Sequence, residues 1–287
     1  IRLENVVEVE ESGLTGIALH PAFISNQLLY LYYTYRDGED MYNRVSQFRY
    51  TGDTLEDEQI IIDSLPGGII HNGGRIRFDD QNKLWVLTGD AGDSSIAQNL
   101  DSLGGKILRL NEDGSVPEDN PIPDSMIYSY GHRNPQGIDW NDQGDIIATE
   151  HGWHAYDEIN LIIPGGNYGW PEEQQCLSET EEFINPVLCS FEDTWAPSGG
   201  AFIKSEIDQL KDSYFFAGLK GSILKRIDIV DGEVQFEENI LTDVYGRLRA
   251  VTASDDGSLY VSTSNLDGRG DPRQGDDKII KLTPILN

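Results

Sequence analysis

The chain has 287 residues, 38% hydrophobic and 25% charged, with 30 Gly and 12 Pro, enough to bury a large core in one β-rich domain. No run approaches the ~18 apolar residues of a transmembrane helix, and Ile1 to Asn5 carry neither the basic nor the apolar region of a signal peptide, although a leader removed earlier would leave no trace. Fifty acidic against 21 basic residues give a net charge of −29, which repels phosphate backbones and anionic membranes and argues against nucleic-acid binding; the acidic groups are dispersed, as on a solvated surface adapted to saline surroundings.

Helical periodicity is scarce. What recurs is a short apolar stretch, a polar turn and an alternating strand. Ile17-Ala18-Leu19 leads through Ser25-Asn26-Gln27 into Leu28 to Tyr35. Arg75 to Phe78 turns at Asp79 to Asn82 into Leu84 to Thr88, and Gly137 to Trp140 turns at Asn141 to Gly144 into Asp145 to Thr149. Gly200 to Ile203 leads into Ser213 to Ala217, and Arg249 to Thr252 turns at Asp255 to Gly257 into Leu259 to Ser262. Units starting near 17, 76, 138, 201 and 249, about 50 to 60 residues apart, have the spacing of propeller blades. Ile1-Arg2-Leu3 reads as the last strand of an earlier, incomplete blade. The pattern therefore predicts a single all-β domain over 1–287, a six-bladed β-propeller whose first blade is short at the N-terminus.

Polar residues at strand ends of a propeller tend to face its central channel. His71-Asn-Gly-Gly-Arg75 and Thr88-Gly-Asp-Ala-Gly92 offer an acid–base pair in His71 and Asp90; the plainer reading is a hairpin His and a turn Asp. Gly131-His-Arg-Asn-Pro-Gln-Gly137 presents Arg133 and Asn134 from a glycine-flanked turn, a bidentate carboxylate ligand beside an amide. Around Glu150 to His154, Asp157 to Asn160 and Gly165 to Trp170, glycine turns expose carbonyls near carboxylates, which suits calcium better than zinc; His151 and His154 lack a third ligand for a transition metal. Cys176 and Cys189 lie in one loop-like stretch and suggest a disulfide and an oxidising compartment, with two reduced thiols as the alternative. Closing such a loop contributes roughly 3 kcal/mol. Lys220, with Arg247 and Arg249 two positions apart, completes a set of cations in a cation-poor chain: either a grip for an anionic small ligand or surface residues paired with local acids.

In this order, the His71 and Thr88 motifs, Gly105-Lys-Ile-Leu-Arg-Leu110, the Gly131 motif, Asp157-Glu-Ile-Asn-Leu161 and Gly166-Asn-Tyr-Gly-Trp-Pro171 resemble the soluble pyrroloquinoline-quinone (PQQ) glucose dehydrogenases and the related aldose sugar dehydrogenases, over essentially the whole chain. The resemblance implies PQQ- and calcium-dependent oxidation of an aldose to its lactone, hydride passing to the quinone and electrons from the reduced quinone to an unidentified acceptor, in a secreted, periplasmic or cell-surface protein with no membrane span. It implies that His71 is the general base, that Asp90 orients it, and that Arg133 and Asn134 contact quinone and substrate. It implies that Lys220, Arg247 and Arg249 bind the cofactor's carboxylates, with Thr194 and Trp195 against its flat face. Carbonyls of Gly152 and Trp153 would hold the cofactor calcium, and Glu158 and Tyr168 a structural one. Three features depart from the pattern: Glu11 replaces a cofactor-contacting Gln, Trp153 replaces a Pro, and first-blade strands are missing. A family propeller that has lost cofactor use, as in hedgehog-interacting proteins, and a calcium-dependent lactonase are the competing readings.

Overall fold

The computed structural model describes residues 1–204 and 207–285. Among them, nineteen strands form five antiparallel sheets in which strands adjacent in sequence are neighbours. The first holds β1 (Leu14–Leu19), β2 (Leu28–Asp37), β3 (Asp40–Tyr50) and β4 (Leu55–Pro66). The second holds β5 (Ile76–Phe78), β6 (Leu84–Thr88), β7 (Lys106–Leu110) and β8 (Ile127–Tyr130). The third holds β9 (Pro135–Trp140), β10 (Ile146–Glu150), β11 (Glu158–Ile162) and β12 (Leu188–Cys189), and the fourth β13 (Pro197–Phe202), β14 (Ser213–Gly218), β15 (Ile223–Val230) and β16 (Glu233–Thr242). The fifth has three strands, β17 (Leu248–Ala253), β18 (Leu259–Thr263) and β19 (Ile279–Leu282).

The fold is all-β, a β-propeller with five blades, which corrects the expectation of six. The first blade is not short, for it has all four strands. Ile1 to Leu3 form no strand; Leu3 and Val6 instead pack against an outer cluster of Leu29, Leu31, Tyr33 and Phe48. Leu3 and Val6 each cover part of a hydrophobic surface, but isolated side-chain contacts of this kind build no ladder.

The chain divides into two compact units. In the first (Ile1–Pro135, Ile163–Glu173 and Thr180–Ile184), the first two sheets share a core of Tyr30, Tyr32, Val45, Leu65, Ile76, Leu84, Val86 and Leu108. Segment 163–173 returns to this unit through a parallel bridge between Tyr130 and Asn167. In the second (Gln136–Ile162, Gln174–Glu179 and Asn185–Asn287), the fourth sheet is covered on both faces. Tyr214 and Phe216 pack with Ile147 and Ile159, while Phe215 and Ala217 pack with Leu248, Val251 and Val261. Burial on alternate faces explains why Ser213 to Gly218 reads as a continuous buried run rather than an alternating one.

The turns between first and second strands are closed by side chains. Asp79 Oδ1 accepts from the Gln81 and Lys83 N–H groups at 2.9 and 2.8 Å, and Asn141 Oδ1 from Gln143 and Asp145 at 3.0 and 2.9 Å. Asp256 repeats the device with Ser258 N–H at 2.9 Å. These short polar side chains mimic a backbone turn, which is why they mark the repeat in the sequence.

Candidate active site

His71 stands between β4 and β5, and Asp90 follows the end of β6. Gly89 brings them together, since a Cβ there would lie 1.9 Å from the His71 carbonyl oxygen. His71 itself has φ 54°, a left-handed conformation uncommon outside glycine. Its backbone is tied on both sides: the Ala91 N–H donates to its carbonyl at 3.1 Å, and its own N–H donates to Glu11 Oε2 at 3.1 Å. The next residue, Asn72, is buried and accepts at Oδ1 from Asn43 Nδ2 and the Gly68 N–H, each at 3.0 Å. A strained turn is thus fixed from several directions.

The side chains form one line. Trp170 Nε1–H donates to Asp90 Oδ2 at 2.8 Å, and Gly92 N–H to Asp90 Oδ1 at 2.8 Å. Asp90 Oδ1 is 2.7 Å from His71 Nδ1, and Arg133 Nη2 is 2.9 Å from His71 Nε2. Asp90 can only accept and Arg133 can only donate. These partners fix the tautomer: Nδ1 carries the proton and Nε2 presents a lone pair. The Arg133 guanidinium also lies over the Trp170 ring, 5.4 Å from its centroid. Asn134 Oδ1 accepts from the Gly73 N–H at 3.1 Å, so that amide braces the His71 turn. Glu11, which replaces the expected Gln, spends one carboxylate oxygen on the His71 backbone.

Within the second unit, Trp195 and Lys220 meet through the backbone, the Lys220 N–H donating to the Trp195 carbonyl at 3.1 Å. Lys220 is exposed and forms no ion pair among the described residues. Asp157 is buried and anchors this corner: Oδ2 accepts from the Trp195 and Ala196 N–H groups at 2.7 and 2.8 Å, and Oδ1 from Gly152 at 3.1 Å. Thr194 Oγ1 donates to the His154 carbonyl at 3.1 Å. Arg247 and Arg249 converge on Asp267, with Nη2–Oδ2 separations of 3.0 and 3.2 Å. Burial pushes the Asp267 carboxyl up, but the Arg269 N–H and the Arg247 guanidinium outweigh it and hold the pKa below the usual range.

The residues expected around calcium fall in both units. Gly152 and Trp153 lie in a tight loop of the second, where the Trp153 carbonyl accepts from the Ala155 N–H at 2.8 Å and the Trp153 ring lies against His154 at 4.6 Å. Glu158 pairs in register with buried Glu150, and Asn160 Nδ2 lies 3.0 Å from Glu158 Oε2 and 3.5 Å from Glu150 Oε2. Asn160 is fully buried, yet its Oδ1 has no hydrogen-bond partner among the described residues. Among the described residues no three His, Cys, Asp or Glu side chains gather as a metal site. A cation here would draw on carboxylate, amide and carbonyl oxygens, the donor set of calcium. Tyr168, in the first unit, stacks on His132 at 4.6 Å, and its hydroxyl accepts from the Ile163 N–H at 3.0 Å. Cys176 and Cys189 form a disulfide with Cα atoms 5.8 Å apart.

A sequence profile described as glucose/sorbosone dehydrogenase matches residues 2–279. The chain belongs to the glucose/sorbosone dehydrogenase family. Aldose sugar dehydrogenase YliI of Escherichia coli (strain K12) is 31% identical over 96% of this chain and 78% of that protein. Quinoprotein glucose dehydrogenase B of Acinetobacter calcoaceticus is 35% identical over 56% of this chain and 40% of its own length. The solved PQQ-bound form of aldose sugar dehydrogenase from Streptomyces coelicolor superposes with a TM-score of 0.89 at 39% identity, covering 97% of this chain and 81% of that one. This member of the glucose/sorbosone dehydrogenase family is accordingly an oxidoreductase.

Two residues of the site had no role in the sequence reading. Trp170 stood within a quoted motif, but nothing local says that its indole reaches Asp90, 80 positions away. Asp267 follows β18 in a stretch rich in Gly and Asp, where no residue stands out.

Proposed function

We propose that the chain oxidises the anomeric carbon of an aldose to a lactone, with PQQ as cofactor, calcium as its companion and His71 as general base. The observation that carries this is the proton inventory of His71: Nδ1–H faces a buried carboxylate, which leaves Nε2 as the acceptor. When bound, PQQ supplies the two-electron oxidant, and calcium polarises its reactive carbonyl.

The chain's own residues do the rest. The anomeric hydroxyl replaces Arg133 as the donor to Nε2, and His71 removes its proton. Asp90 stabilises the resulting imidazolium through Nδ1–H, while Trp170 and Gly92 keep Asp90 aimed. Arg133, displaced from nitrogen, faces the substrate oxygen as negative charge develops on it. Asn134 holds the His71 turn. Lys220, an exposed cation with no ion-pair partner among the described residues, and the Arg247–Arg249 pair suit an anionic cofactor, with Thr194 and Trp195 beside its plane. The Glu11 carboxylate is anchored to the His71 backbone, which fixes where one of its oxygens points. Asn160 Oδ1, without a hydrogen-bond partner among the described residues and beside Glu150 and Glu158, supports a hard cation at that corner; the Gly152 and Trp153 carbonyls serve the cofactor calcium. The disulfide supports an extracellular, periplasmic or cell-surface setting, and we read the whole chain as one working domain.

The test is reconstitution of the purified protein with PQQ and calcium chloride, followed by dye reduction with a panel of aldoses. Activity with at least one aldose is expected, and His71→Ala should lower kcat by about 10²- to 10⁴-fold with quinone affinity nearly unchanged. No turnover and no change in quinone absorbance would defeat the proposal; equal loss of turnover and affinity in the variant would remove His71 as the base.

A further inference from the structure

Arg247 and Arg249 share one acceptor atom. Asp267 Oδ2 accepts from Arg247 Nε at 3.0 Å, Arg249 Nη2 at 3.2 Å and Ser264 Oγ at 3.1 Å, and Arg247 Nη2 lies at ion-pair distance, 3.0 Å. Ser264 Oγ in turn accepts from Arg249 Nε at 2.9 Å, so both guanidinium groups are gripped at two nitrogens each. The other oxygen, Oδ1, takes the Arg269 N–H at 3.0 Å, which fixes the carboxylate from behind. The strand beneath is irregular, its register with β18 shifting between Leu248 and Val251, so strand alternation does not by itself align the two arginines. Without an anion between them, two cations two residues apart repel and splay.

We propose that Asp267 is a positioning residue, with Ser264 as its aid: it draws Arg247 and Arg249 into a fixed double fork that receives a carboxylate of the anionic cofactor. This rests on the reading above that the two arginines hold PQQ. Asp267 touches neither substrate nor cofactor in this role. It sacrifices one unit of local positive charge to gain geometry, and the two contributions have opposite signs, which makes the claim decidable. Coulomb attraction alone says that neutralising Asp267 strengthens anion binding; preorganisation says that it weakens binding, because ordering the guanidinium groups is then charged against affinity.

The measurement is a titration of the calcium-loaded apoprotein with PQQ, followed by quenching of protein fluorescence and requiring no turnover. Asp267→Asn should raise Kd by about tenfold or more. Ser264→Ala, which changes no charge, should raise it several-fold, and Asp267→Glu should recover part of the loss. Lys220→Met should weaken binding independently, marking the cofactor site. Unchanged or tighter binding in Asp267→Asn, with wild type binding normally, overturns the inference and leaves the proposed function standing. If wild type takes up no PQQ, the proposed function fails and the inference with it. Should Asp267→Asn not fold, Ser264→Ala decides alone: a Kd within twofold of wild type refutes the positioning role.

Discussion

A histidine nitrogen is a base or an acid according to what its other nitrogen does. Here Asp90 decides for His71, and Trp170 decides for Asp90. Trp170→Phe keeps a ring under Arg133 but deletes one donor to a buried carboxylate, an interaction of about 1.5–3 kcal/mol when the acceptor is charged. The reconstituted variant should lose roughly tenfold in kcat or more, read by steady-state dye reduction; a kcat within twofold of wild type would show that the indole is mere packing. His71 and Asp90 were legible in the sequence because each sits in a glycine-framed turn, and such turns are where backbones approach closely. Trp170 and Asp267 were not, because the direction of a side chain across 80 or 18 residues is set by packing that no local pattern encodes. The position of Glu11 was likewise only half legible. Its charge was visible, its anchoring to the His71 N–H was not.

At the scale of elements, Lys106 shows how a buried strand serves the site. It is fully buried in β7, and its Nζ donates to the carbonyls of Ile96 and Ala97 at 2.9 Å and of Gly104 at 2.6 Å. The segment it pins lies against the site's backbone: Ala97 O also accepts from the Gly131 N–H at 3.1 Å, and Gly105 N–H donates to Gly89 O at 2.8 Å. Lys106→Met would leave the Ile96 and Gly104 carbonyls without this donor, a cost of roughly 2–4 kcal/mol by urea denaturation at pH 7. Burial depresses the Lys106 pKa to about 8. The unfolded chain therefore holds this proton up to pH about 10.5 and the folded one only to about 8. Between those values the unfolded state binds more protons, so the Lys106 contribution to stability rises with pH and falls away as pH drops through 8. The gap between wild type and Lys106→Met should widen over that window; a pH-independent gap would contradict it. The blade starts were legible because Asp and Asn close the turns, whereas the blade count was misread from Ile1 to Leu3, a segment of which Leu3 packs on the outer cluster without forming a strand.

For the molecule as a whole, the net charge of −29 acts against compactness. Dissolved salt screens that repulsion, with a Debye length falling from about 10 Å at 0.1 M to about 3 Å at 1 M. Raising sodium chloride from 0.05 to 0.5 M in calcium-free buffer should raise Tm by at least about 2 °C, the shift that ~1 kcal/mol produces in a chain of this size. A flat or falling Tm in a fluorimetric melt would mean that local ion pairs already cancel the imbalance. The charge itself was legible from composition alone, because net charge needs no geometry. The bridge from Cys176 to Cys189 is different: the pairing was guessed from proximity, and its consequence emerges only with the exposure of Leu177 and of 179–182 between the two sulfurs. Scission of a peptide bond there opens a ring and severs nothing. That acidic stretch is thus where the fold tolerates nicking by a protease, or lengthening by inserted residues, with both flanks still covalently joined.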